Sequence, residues 1–214
     1  MNYNEFRKLV QKWPLILSRD VIMNRADKQI IRNQLKRWSQ KQLLIKLRRG
    51  VFILNADDRK VNPSRAYIAN QLYTPSYVSL EYALHYYGFI PESVSDLTGI
   101  TTKKTMRFKN DIGTFIYQHI KPKAFRGFRA FKDEAEFLFL IADPEKALVD
   151  FFYLNLEKFR EGDMEVFDKS YRLQNLEKIK SKKIMEYADF FGNDKLKRVC
   201  RLFCEFIKEE RKRR

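Results

Sequence analysis

The stretch "IIRNQLKRWSQKQLLIKLRRGVFIL", residues 30–54, changes period part-way along. Up to Gln40 its apolar residues recur at helical spacing: at 100° per residue, Ile30, Ile31, Leu35 and Trp38 fall within one arc about 140° wide. Carried upstream, the pattern predicts an amphipathic helix from Ala26 to about Gln40, with that arc facing a core. Arg25, Gln29, Arg32, Asn33, Lys36 and Gln40 lie on the other side, a face that mixes positive charge with amide groups. Such side chains contact both phosphates and base edges. Beyond Gln40 the helical spacing stops. "LLIKL" and "VFIL" read as two short strands around Arg48, Arg49 and Gly50, where the glycine suits the positive φ of a tight turn.

Two shorter helices are expected before it. "YNEFRKLVQK", residues 3–12, places Phe6, Leu9 and Val10 at helical spacing, and Pro14 ends that run. Ser18 is placed to cap a second helix, with Asp20 near the positive end of its dipole and Asn24 as a stop. Three helices followed by a basic hairpin predict a winged helix-turn-helix over residues 1–60. In that arrangement the third helix enters the major groove, and a wing carrying Arg48 and Arg49 touches the flanking backbone or minor groove. The expected partner is double-stranded operator DNA.

Charge agrees with that expectation. The chain of 214 residues has a formal net charge of +16, an imbalance that attracts polyanions. Basic residues outnumber acidic ones 16 to 5 in residues 1–65, match them 10 to 10 in 66–154, and exceed them 17 to 12 in 155–214. A basic module is thus joined to a neutral one, and the polar segment "NADDRKVNPS", residues 55–64, is the natural boundary. No run of about 18 apolar residues suggests a membrane span and no apolar signal core opens the chain, so a cytoplasmic protein is expected.

Residues 61–214 read as a mixed domain with a small, mainly antiparallel sheet and, from about 156, a helical C-terminus, which makes the whole chain α+β. "SLEYALHYYG" is one short helix, with Ser79 as cap, Glu81 in the first turn and Gly88 as a left-handed stop. Its tyrosines, Tyr82, Tyr86 and Tyr87, read as half-buried packing rather than base-stacking groups. "DLTGITT", "TMRFKN", "TFIYQHIK" and "EFLFLIA" are strands, with "NDIG" as a turn. Lys103, Lys104, Arg107 and Lys109 form a basic cluster, which reads as a nucleic-acid or antitoxicity surface or as a solvated sheet edge. The C-terminal helices, with a stripe of Leu196, Val199, Cys200, Phe203 and Ile207, read as an appendage. The closing "RKRR" reads as a frayed tail.

Asp143, Pro144, Glu145 and Lys146 have the residue types of a metal-dependent nuclease site. Helix initiation explains the first three without catalysis: an N-cap, a proline at the first helical position and an acid in the first turn. His85 and His119 lie in different elements, with no nucleophile turn or glycine-rich phosphate loop nearby. Cys200 and Cys204, four apart on a helix, read as core thiols rather than zinc ligands. The expectation is a protein without catalytic residues, cofactor or metal; the alternatives are a restriction- or defence-associated nuclease and a DNA-tethered interaction adaptor.

Four blocks in order, "KQLLIKLRRGVFIL", "PSYVSLEYALHYYGFIPE", "ITTKKTMRF" and "IADPEKALVDFFYLN", resemble the AbiEi antitoxin family of type IV toxin–antitoxin systems. The likeness covers residues 3–155 and stops there. It implies a cytoplasmic repressor of its own operon that also counters a nucleotidyltransferase-class toxin in phage abortive infection without forming a stable complex with it; self-association on DNA is a separate open expectation, attached to the C-terminal helices. The toxin-directed half of that expectation comes from the resemblance alone.

Overall fold

The structure is a computed structural model that describes residues 1–23 and 28–213. Arg25, the expected stop at Asn24 and the expected helix start at Ala26 lie outside the described residues.

The chain opens with α1 (Tyr3–Val10), β1 (Ile16–Leu17), α2 (Ser18–Ile22), α3 (Lys28–Gln40), β2 (Leu44–Arg48) and β3 (Val51–Leu54). The Asn2 side chain accepts the Glu5 N–H at 3.0 Å while the Glu5 carboxylate accepts the Asn2 N–H at 3.0 Å, a capping box that starts α1. Phe6 and Val10 are buried, but Leu9, expected on the same face, is 49% exposed. A helix of two turns covers only the narrow stripe through residues four apart. Ser18 is also corrected: Leu17 holds the N-cap position of α2 without a side-chain bond, and Ser18 is the first helical residue. Its backbone N–H donates to the Gly50 carbonyl at 2.9 Å, so the hairpin satisfies one of the free donors at the start of the helix.

On α3, Ile31, Leu35 and Trp38 are buried, and the Trp38 ring packs 4.7 Å from Phe6 and 5.6 Å from Tyr3. Ile30, expected to join them, sits at the margin of the arc and is 54% exposed. The helix closes with Gln42 at φ 58, Leu43 N–H donating to Trp38 O and Gln42 N–H to Ser39 O. This is a Schellman ending built without glycine, and Leu43 packs back on the core that holds Trp38.

The three strands form an antiparallel sheet in the order β1-β3-β2. All of β3 is buried because both of its faces are covered. Phe52 and Leu54 join Phe6, Leu35 and Trp38 in a small core, whereas Val51 and Ile53, with Leu15 and Leu47, join the large core of the rest of the chain. Residues 55–64 form neither helix nor strand, yet they are tied down. Tyr3 Oη donates to Asp58 at 2.6 Å, Lys60 N–H donates to Gln11 O at 2.7 Å, and Ser64 N–H donates to Asp133 at 2.8 Å.

The remainder comprises α4 (Arg65–Leu72), β4 (Ser76–Val78), α5 (Leu80–Tyr86), β5 (Leu97–Thr101), β6 (Met106–Asn110), β7 (Gly113–His119), β8 (Phe128–Lys132), β9 (Leu138–Ala142), α6 (Pro144–Leu154), α7 (Ser181–Phe191) and α8 (Asp194–Arg213). The sheet is six-stranded, in the order β6-β7-β5-β4-β9-β8. Its β6/β7, β5/β4 and β9/β8 pairs are antiparallel, while β7/β5 and β4/β9 are parallel, so it is larger and more mixed than the sequence suggests. The C-terminal helices are no appendage. Leu196, Val199, Cys200, Phe203 and Ile207 are all buried, and Phe203 packs 5.0 Å from Phe152 and 5.1 Å from Phe167. Both thiols lie in this core, where burial pushes them up from the ordinary cysteine range. Among the described residues no helix is long and apolar enough to cross a membrane.

Candidate nucleic-acid interface

The buried stripe of α3 fixes what the opposite side shows. Gln29, Arg32, Asn33, Lys36 and Gln40 are all exposed, and only one contact links them: Gln29 Nε2 donates to Asn33 Oδ1 at 3.1 Å. Neither Arg32 nor Lys36 has a carboxylate within ion-pair distance among the described residues. Cations without partners on a rigid rod retain their full capacity for an external anion.

The turn between β2 and β3 is Arg49-Gly50, with Gly50 at φ 78. A Cβ on Gly50 would stand 3.0 Å from Ser18 Oγ, so a side chain would both strain the backbone and crowd the start of α2. Arg49 is exposed at the tip. Arg48 is half-buried: its Nη1 reaches the Arg49 carbonyl at 3.4 Å, and its Nε is buried with no hydrogen-bond partner. An irregularity in the β2/β3 register between Lys46 and Arg48 sends Leu47 into the large core, where the Asn110 side chain donates to its carbonyl at 3.1 Å. The hairpin is therefore mounted on β6 as firmly as on α3.

A cleft of about 840 Å³ opens beside the tip, walled by Arg19, Arg48 and Arg49 on one side and by Gln71, Tyr73, Thr74, Lys103 and Phe108 on the other. Among the described residues no acidic side chain lines it; Arg19 makes an exposed pair with Asp20 at 3.4 Å. Lys103 lies 5.5 Å from the centre of the Tyr73 ring, a cation–π approach that holds its charge at the rim. Sequence reasoning missed Arg19 and Tyr73, because the residues of this cleft meet only where the hairpin packs against the second sheet.

The four-residue basic cluster of the second part divides. Lys103, Lys104, Arg107 and Lys109 are all exposed, on the edge strand β6 or the turn before it. Only Lys103 lines the cleft; Arg107 lies 3.8 Å from Asp96.

No family model matches this chain, and no curated protein matches it. The resemblance to the AbiEi family accordingly rests on the four sequence blocks quoted above.

Two of those blocks meet at a second polar site, and it lies inside the protein. Lys146 and Asp150, one turn apart on α6, form an ion pair, and Tyr77 Oη and Ser79 Oγ each donate to Asp150 Oδ2 at 2.9 Å. All four residues are fully buried. The Lys146 ammonium also lies 4.7 Å from the Phe191 ring centre. Burial pushes Lys146 down and Asp150 up, each toward its neutral form, and their pairing opposes both shifts. Ser79 does occupy the N-cap position of α5, but its hydroxyl is committed to Asp150, and Thr98 Oγ1 accepts the Tyr82 N–H at 3.1 Å instead. The cap thus comes from a neighbouring strand.

The same geometry assigns structural partners to the four residues with nuclease-like chemistry. Asp143 sits at the N-cap of α6 with Pro144 in the first turn, yet it makes no cap bond. It accepts from Arg129 Nε and Tyr187 Oη, each at 2.7 Å, and the neighbouring Glu145 accepts the Lys180 N–H at 3.1 Å. Lys146 turns away from both acids into the core. His85 and His119 are exposed on separate elements.

Proposed function

We propose that this chain is a DNA-binding repressor of its own operon, with α3 read as a recognition helix and the β2–β3 hairpin as a wing. The element order α1-β1-α2-α3-β2-β3 and the strand order β1-β3-β2 match those of a winged helix-turn-helix. The observation that carries the reading is the two-sidedness of α3: Ile31, Leu35 and Trp38 anchor it, while Arg32 and Lys36, without a carboxylate partner among the described residues, stand among amides on the outer side. On this reading Gln29, Arg32, Asn33 and Lys36 reach base edges and Arg49 reaches the backbone. The protein acts in the cytoplasm, where its DNA lies, and assigns no reaction to any residue.

The further role, as antitoxin against a nucleotidyltransferase-class toxin, rests on the resemblance. Gel shift on the duplex immediately upstream of the protein's own reading frame tests repression: the wild type shifts it at low salt and Arg32→Ala loses sequence preference. Absence of any shift at 50 mM salt sinks the reading. Co-expression with a nucleotidyltransferase-like neighbour tests the antitoxin role, through restored growth.

A further inference from the structure

We propose that the cleft beside the hairpin tip seats the phosphate backbone flanking the α3 contact, so that the small and large cores jointly build one DNA site. This rests on the repressor reading and adds to it a contribution from the second part of the chain. Three observations converge. Arg48 and Arg49 from the hairpin and Lys103 from the β5–β6 turn line one opening, with no acid among its described lining residues. Arg48 Nε is buried without a partner, and a guanidinium donor removed from water favours an anionic acceptor. The two walls are also fixed in advance: Gly50 O accepts from Ser18 N–H at 2.9 Å, and the Lys103 N–H donates to Thr101 Oγ1 at 3.1 Å. Backbone anchored before binding loses little freedom when a phosphate arrives.

The position of the cleft selects duplex DNA over a free anion. It opens where the first residues of α2 meet the tip, next to the exposed Arg49, so a backbone strand passing the tip runs directly into it. Lys103 is then the far contact, beyond what a module of residues 1–60 reaches.

The test uses the full chain and a 30-base-pair duplex taken from upstream of its reading frame, with affinity measured by fluorescence anisotropy from 50 to 200 mM salt. Lys103→Gln keeps the side-chain stem over Tyr73 and removes the charge. One lost phosphate contact lowers the slope of log K against log salt by about 0.9, so the affinity lost across this salt range becomes about 3.5-fold smaller than for the wild type. Lys109→Gln, on the edge strand β6 that follows and outside the lining of the cleft, leaves the slope unchanged. If Lys103→Gln also leaves it unchanged while Arg32→Ala weakens binding, the cleft proposal is wrong and the repressor reading stands. Equal effects of Lys103→Gln and Lys109→Gln mean diffuse attraction and overturn it as well. If the wild type binds no duplex, both fall.

Discussion

Lysine is used in two opposite ways in this protein. On α3 and at the hairpin cleft, Lys36 and Lys103 are exposed and have no carboxylate partner within ion-pair distance among the described residues. Inside α6, Lys146 is fully buried, paired with Asp150 and surrounded by aromatic rings. The first arrangement leaves charge available to a ligand. The second consumes it, because a buried ion pair is compensated only when every lone pair around it is satisfied. Here Tyr77 and Ser79 complete that satisfaction, and in doing so they join β4 and the start of α5 to α6. The blocks that carry the family resemblance are therefore held together by architecture, whereas the interface with DNA is proposed on surfaces that architecture leaves free.

The sharpest way to break this contrast is Lys146→Met. It strands Asp150 in the core without its cation, and unfolding in urea should show a loss of about 3–5 kcal/mol. Adding Asp150→Asn removes the orphaned charge while keeping an acceptor for Tyr77 and Ser79, so the double variant should recover most of the loss. A double variant no better than the single one would show that the lysine contributes through packing alone. Arg32→Ala should behave in reverse, with stability unchanged within about 0.5 kcal/mol. Its binding to the upstream duplex should weaken by about 1–3 kcal/mol if the guanidinium reads a guanine. Equal weakening on unrelated duplexes would demote it to a phosphate contact. Arg49→Ala, at the tip, should lower the salt slope by about 0.9 and weaken all sequences alike.

These two uses of charge differ in how far the sequence discloses them. The faces of α3 are legible because a helix with one side in water imposes its period on the sequence, and Arg-Arg-Gly marks a turn that Gly50 adopts at φ 78. The strands β5, β6, β7 and β9 and the stop at Gly88 are legible for similarly local reasons. By contrast α4 has Ala66, Ile68, Ala69, Asn70 and Leu72 all buried, so it is enclosed too fully to show a polar face. Strands β1 and β4 are two and three residues long and are defined only by their distant partners. The edge strand β8, "FRAFK", has no fully buried residue to give it a period. Lys146 and Asp150 have the same i, i+4 spacing as a solvent-exposed helix pair, and only tertiary burial tells the two cases apart. The cleft is hidden for a related reason, since Arg19, Arg48 and Lys103 are brought together by the packing of one sheet on the other rather than by spacing.

The Arg7–Asp58 pair lies between the two extremes and gives the smallest expected effect. It ties α1 to the segment after β3 at 2.9 Å, with the Arg7 side chain 40% exposed and that of Asp58 13% exposed. Burial alone would raise the Asp58 carboxyl, but hydrogen bonds from Tyr3 and Arg7 outweigh it and hold the group below its ordinary value of 3.8. A carboxyl lowered in the folded state stabilises the protein above its unfolded value, and that stabilisation is lost as pH falls through the folded value. Wild type should therefore exceed Asp58→Asn in stability at pH 7 by about 1 kcal/mol or less, and the gap should start to narrow below about pH 4 and close as pH falls through the folded value. Urea unfolding at pH 7 and pH 3 measures this directly. A gap of undiminished size at pH 3 would mean that Asp58 acts through hydrogen-bond geometry that asparagine cannot reproduce. Its charge would then be incidental, and the pair would belong with Lys146 and Asp150 as architecture rather than with the exposed cations of α3.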